Sequence, residues 1–257
     1  MLSGAVVAAV RFAPVAWRGA WAALLLTAGA TAAALAAIVG GQGIGSALLW
    51  LLVAFSASLV ARGALWRLAL QHGHLGPGGL QVGAVEGRLA AVSVLTGVLL
   101  AILIVLLFVG LLCLAYAAAS AGRGFDPANV ATWAKAVDAR GRLVVSVATG
   151  AGSGAIVLAA IRISLADAVS VAGGKVQVLS TWGLTRGRLA AIAGGNLLLA
   201  LPLAAALLAM PAGMAANAGA MAWPLTCGVI LAGVWLPMHV GLMAYVYGRC
   251  AAPRSDR

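Results

Sequence analysis

Long apolar stretches alternate with short polar ones along this chain. Runs near 20–40, 44–65, 89–118, 143–166, 188–210 and 223–247 hold few charges. A hydrocarbon layer about 30 Å thick is crossed by roughly 20 apolar residues in a helix, so the pattern predicts six transmembrane helices. The third run is long enough to tilt or to project beyond the bilayer. The first has a basic lead-in, Arg11 and Arg18, but its apolar length exceeds a signal-peptide core and it reads as a retained span. The predicted fold class is therefore all-α: a polytopic membrane protein forming one integral membrane domain over residues 1–257, with short interfacial helices between spans.

Composition strengthens this reading. With 64% hydrophobic and 8% charged residues and a mean hydropathy of +1.10, the chain has too little polar surface to cover a water-soluble globule. The net charge of +11 does not point to nucleic acid, because the basic residues are scattered at span ends without a run or an aromatic-interleaved patch. Anionic lipid headgroups are the expected partners. Placing both termini and the 66–88 and 167–187 connections on one side leaves only Arg123, Lys135, Arg140 and Arg142, of 16 Lys and Arg, on the other. By the positive-inside rule both termini are then cytoplasmic, and the expected location is a bacterial inner membrane.

A repeated phrase suggests how the spans are grouped. Gly87-Arg88-Leu89-Ala90-Ala91 recurs one hundred positions later as Gly187-Arg188-Leu189-Ala190-Ala191, and the same shift superposes Arg62 on Arg162, Gly73 on Gly173 and Gly83 on Gly183. Arg18-Gly19 and Gly248-Arg249 extend the theme to both ends of the chain. Three helical hairpins of one orientation follow, over about 12–70, 80–168 and 180–250. Within the phrase, Arg rests its stem on the helix and holds its guanidinium among headgroups, Gly permits the turn into the span, and Ala-Ala allows close helix packing. Arg18, Arg62, Arg88, Arg162, Arg186 and Arg188 are thus the candidate headgroup contacts.

The connections look too small to be domains. Val176, Val178, Leu179 and Trp182 among polar residues suit a short helix lying in the interface over 171–186. Gly76-Pro77-Gly78-Gly79 makes the equivalent stretch at least half turn. Asp126-Pro127 reads as an N-cap followed by Pro at the first helical position, opening a surface helix over 128–140.

Candidate chemistry is sparse. His72-x-His74 sits in a Gly-rich loop without the carboxylates or thiols needed to complete a metal site, and no metal or cofactor is expected. Cys113 and Cys227 lie inside spans and Cys250 at the end of the last, where they read as small apolar fillers. Of the carboxylates, Glu86 and Asp167 lie near bilayer depth, each close to Arg62, Arg67, Arg88 or Arg162, and are read as partners of those arginines. His239, two residues after Pro237 in the sixth span, and Asn196 in the fifth are the polar groups at membrane depth. They either line a polar cavity between spans 5 and 6 or join two helices by a hydrogen bond. No nucleophile elbow, phosphate loop or zinc-protease motif is present. The chain is accordingly read as a non-catalytic module that engages lipid headgroups or organises a membrane partner protein. Transport of a small solute or lipid is the alternative, and an intramembrane lipid enzyme comes third.

One segment carries a family likeness. Arg162-x-Ser164-Leu165-Ala166, followed by Leu179-Ser180-x-Trp182-x-Leu184-Thr185-x-Gly187, resembles the six-span membrane domain that accompanies some bacterial glycerophosphodiester phosphodiesterases and also occurs alone. The likeness covers roughly residues 155–195, and the three-hairpin plan extends it weakly to the whole chain. It implies a bacterial inner-membrane module and no catalytic residue, since in that family the phosphodiesterase activity belongs to a separate soluble domain.

Overall fold

A computed structural model describes residues 2–71, 74–122, 124–208 and 222–251. Among the described residues regular structure is helical throughout, and six helical stretches are long and apolar enough to cross a membrane. The spanning helices are α1 (Leu2–Val39), α2 (Ile44–Leu70), α3 (Ala84–Ser120), α5 (Ala139–Ile163), α8 (Leu189–Leu208) and the joined α9 (Ala222–Val229) and α10 (Leu236–Ala251). Short helices α4 (Val130–Ala136), α6 (Ala166–Ala172) and α7 (Thr181–Leu184) lie between them.

The chain forms two compact units. One comprises Met1–Val92 with Ser164–Arg257, and the other Ser93–Ile163. The first and last predicted hairpins therefore share a unit, while the middle hairpin makes up most of the second.

In the first unit α1 packs along α2 on one side and along α9 and α10 on the other. Its contact face is a column of small residues, including the buried Ala5, Ala9, Ala16, Ala23 and Ala28. In lipid there is no hydrophobic gain from helix association, so small residues that bring backbones close carry the packing. Gly241 of α10 shows the fit: a Cβ there would lie 2.8 Å from Cβ of Phe12 and 3.1 Å from Cα of Ala9. α1 begins well before the predicted span, because Arg11 and Arg18 are both exposed and do not interrupt the buried alanine face. It bends at Ala20 (φ −129°, ψ 24°), where Gly79 of a single 3-10 turn, Pro77–Gly79, packs against the helix backbone.

Between α9 and α10 the backbone forms a π-helical segment, Ile230–Trp235. Pro237 has no N–H to give the carbonyl four residues earlier, which belongs to Gly233. The Trp17 indole donates to that carbonyl at 2.8 Å. The freed backbone acceptor expected from Pro237 is thus satisfied from α1, and the same contact fixes α1 against the sixth span.

The second unit is held by a small cluster in which Ala119, Ala136 and Val137 are buried and Phe125 and Trp133 pack against them. Tyr116 meets both aromatic rings edge-on, with centroids 5.2 and 5.3 Å away. The predicted surface helix is shorter than expected, α4, and its N-cap is Asn129, whose side chain accepts from the Ala131 N–H at 3.1 Å. Asp126 instead accepts from Ala128 N–H at 2.9 Å, closing the turn before it. Nothing in the most apolar window of the third span is buried.

The repeated phrase takes two conformations. Gly87 lies inside the first turns of α3, whereas Gly187 has φ +78° in the turn just before α8. The predicted interfacial helix over 171–186 is divided: α6 covers its start, α7 its end, and Gly174 (φ +67°) lies between them.

Candidate functional site

Two ion pairs of the first unit are built on the last turns of α2. Arg67 and Glu86 are each 5% exposed, and Nη2 of Arg67 donates to Oε2 of Glu86 at 2.7 Å. The same oxygen accepts from the Gly83 N–H at 2.9 Å, which ties the start of α3 to α2. Gly63 makes room for this pair, since a Cβ there would overlap the Glu86 carboxylate. An enclosed ion pair gains from a low dielectric what it loses in desolvation only when it is well hydrogen-bonded, so its value here is to fix one arrangement.

Arg62, five residues earlier on α2, pairs with Asp167 in the first turn of α6. These side chains are 22% and 16% exposed. They form part of the wall of a cleft of about 560 Å³ between α1, α2, the π-helical segment and α10. Its polar lining is Thr27, Thr31, Ser58, Arg62, Asp167 and His239; the remainder is apolar, including Leu35, Ile38, Leu51, Phe55, Leu231 and Leu236. A cleft of this size, mostly apolar with a few convergent polar groups, has the dimensions and chemistry of a small-ligand site.

His239 is held on two sides. Its ring stacks on Trp235, with centroids 4.8 Å apart and planes 15° from parallel. Its Nδ1 lies 2.7 Å from Oδ1 of Asn196. Asn196 donates through Nδ2 to the Ile192 carbonyl of its own helix at 2.9 Å, so its oxygen is the atom offered to the ring and Nδ1 is the donor. Nε2 is then the lone-pair nitrogen. His239 and Asn196 are thus brought together, as a link between α8 and α10. His239 also lines the cleft between α1, α2 and α10, where Asn196 holds it through Nδ1.

The other candidate arginines are dispersed. Arg18 and Arg186 are exposed. Arg88 is partly exposed and donates through Nε to the Ala84 carbonyl of its own helix at 3.0 Å. Arg162 is half-buried near the end of α5. Arg188 turns to the last turns of α10, donating through Nη1 to Sγ of Cys250 at 2.8 Å and to the Val246 carbonyl at 3.5 Å. A cation at a helix C-terminus meets the carbonyls left without partners there. Glu86 and Asp167 do partner arginines, Arg67 and Arg62 respectively. His74 is exposed, and His72 lies outside the described residues.

Thr27, Thr31, Ser58 and Trp235 were not singled out by the sequence. A signal for them exists: Thr27 and Thr31, Ser58 and Arg62, and Trp235 and His239 are polar or aromatic pairs four residues apart, which share a helix face. Compared with protein-family models, curated proteins and solved structures, the chain matches none.

Proposed function

We propose that this protein is a multi-pass bacterial inner-membrane protein, with both termini cytoplasmic, that takes a membrane lipid into the cleft between α1, α2 and α10 without transforming it. One observation carries this reading: a charged pair, Arg62 and Asp167, shares a single cleft with an otherwise mainly apolar lining. A lipid has the same division into charged head and apolar tail. An acyl chain covers that apolar wall while the headgroup meets the charged pair. Arg62 is the arginine that meets the ligand in this reading, and the exposed Arg18 and Arg186 engage headgroups at the rim. The likeness of residues 155–195 to the membrane domain associated with glycerophosphodiester phosphodiesterases is likewise a proposal.

Lipid transport is a second reading, and one feature favours it. The π-helical segment and Pro237 interrupt the regular hydrogen-bond ladder of the sixth span beside the cleft, and broken helices recur where transporters hold their cargo.

The test fills the cleft. Ala54 lines it and is half-buried, so Ala54→Trp should place an indole where acyl chains would lie. Native mass spectrometry of protein released from lipid nanodiscs should show lipid retained by the wild type and lost from this variant, with unchanged gel-filtration behaviour. Equal lipid retention by both proteins would overturn the proposal.

A further inference from the structure

Resting on the lipid reading of the cleft, we infer that the preferred headgroup is a zwitterion bearing a primary ammonium next to a phosphate. Arg62 and Asp167 already neutralise each other at the cleft wall. An anionic headgroup drawn to Arg62 would leave the Asp167 carboxylate uncompensated in a medium of low dielectric, and a purely cationic one would do the same to the guanidinium. A zwitterion leaves neither charge behind. Its phosphate takes the guanidinium, its ammonium takes the carboxylate, and one ion pair becomes two of the same polarity.

Hydrogen-bond chemistry selects among zwitterions. The residues sharing this lining with Arg62 include several able to accept: Asp167, whose Oδ2 already accepts from Arg62, His239, Ser58 and Thr31. His239 supplies Nε2 because Nδ1 is engaged by Asn196. A primary ammonium brings three N–H donors to such a set, whereas a quaternary ammonium brings none. Quaternary groups are recognised by several aromatic faces acting together, whereas the lining offers Phe55 and Trp235 alone, and Trp235 gives one of its faces to His239.

The experiment uses the full chain in nanodiscs containing equal amounts of phosphatidylethanolamine, phosphatidylcholine and phosphatidylglycerol with identical acyl chains, read by native mass spectrometry. Retained phosphatidylethanolamine should exceed each of the others about tenfold, the effect of a single charge-assisted hydrogen bond. Stepwise N-methylation of the ethanolamine headgroup should erode retention on the wild-type protein, a series that needs no folded variant. Asp167→Asn leaves the guanidinium without its carboxylate and should reverse the order, the anionic glycerol headgroup exceeding ethanolamine. Millimolar free phosphoethanolamine should displace nothing, because it lacks the tails; displacement would overturn the assignment to a lipid. Lipid retained without headgroup preference yet lost in Ala54→Trp would overturn this inference and leave the lipid-cleft reading standing. Retention unaffected by Ala54→Trp would overturn both.

Discussion

Arg67 and Glu86 show what a single residue contributes here. Nη1 of the arginine and Oε1 of the glutamate are buried without a hydrogen-bond partner among the described residues, so the charge of each is compensated chiefly by the other side chain, with the Gly83 N–H adding one bond to the carboxylate. Arg67→Ala should therefore destabilise the protein by about 3–5 kcal/mol, because it strands a buried carboxylate, and the double change Arg67→Met with Glu86→Leu should cost less than either single change. Thermal unfolding in detergent micelles checks the order. The sequence made these two charges and their neighbours visible because acids are so scarce in the chain, with only five Asp and Glu among 257 residues. It did not expose the cleft hydroxyls. Thr27 bonds the Ala23 carbonyl of its own helix and the Ala57 carbonyl of the next, and Ser58 bonds the Phe55 carbonyl. Such back-bonding lets a hydroxyl pass as an ordinary occupant of an apolar helix, so its exposure to a cleft leaves no mark in hydropathy.

At the level of the element, helix number and approximate extent were legible because lipid imposes a length on every span. Which helices touch was not. The contact between α1 and α10 depends on where small residues fall on two helices more than 200 positions apart, and an Ala- and Gly-rich chain offers many such faces. Gly241→Leu should separate this pair and cost about 1–3 kcal/mol through overpacking. The same change at Gly248, which has open space beside it, should have little effect; comparing the two melting temperatures distinguishes close packing from a general intolerance of leucine. The length of α1 was underestimated for a related reason. Two arginines on an exposed face look like a boundary in one dimension, although a helix carries them on one side while alanines remain buried on the other.

For the whole molecule, the distribution of basic residues predicts sidedness. In a background lacking Cys113, Cys227 and Cys250, single cysteines at Leu80→Cys and Val176→Cys should react with an impermeant thiol reagent only from the cytoplasmic face. Ala128→Cys should react only from the opposite face, since all three positions are exposed. Opposite labelling of positions 80 and 176 would refute the shared orientation of the hairpins. The one-hundred-residue repeat predicts hairpins of one orientation, yet its two phrases settle into different backbone shapes because each end of a span is finished by its own neighbours: Arg88 bonds its own helix, Arg188 the end of α10.

The bare apolar surface of α3 has a further consequence. Where lipid is the only neighbour, Leu, Ile, Val and Phe are nearly interchangeable, because fluid acyl chains mould themselves around any of them. At the exposed positions of α3, such as Val98, Ile102, Val105 and Phe108, the chain is free to vary in spelling while keeping its oiliness, and mutational drift should accumulate there faster than at Leu107, which packs on Gly152 of α5. The alanines and glycines of α1 and α10 have no such licence, so the oldest surviving text of this protein should be found in its smallest side chains.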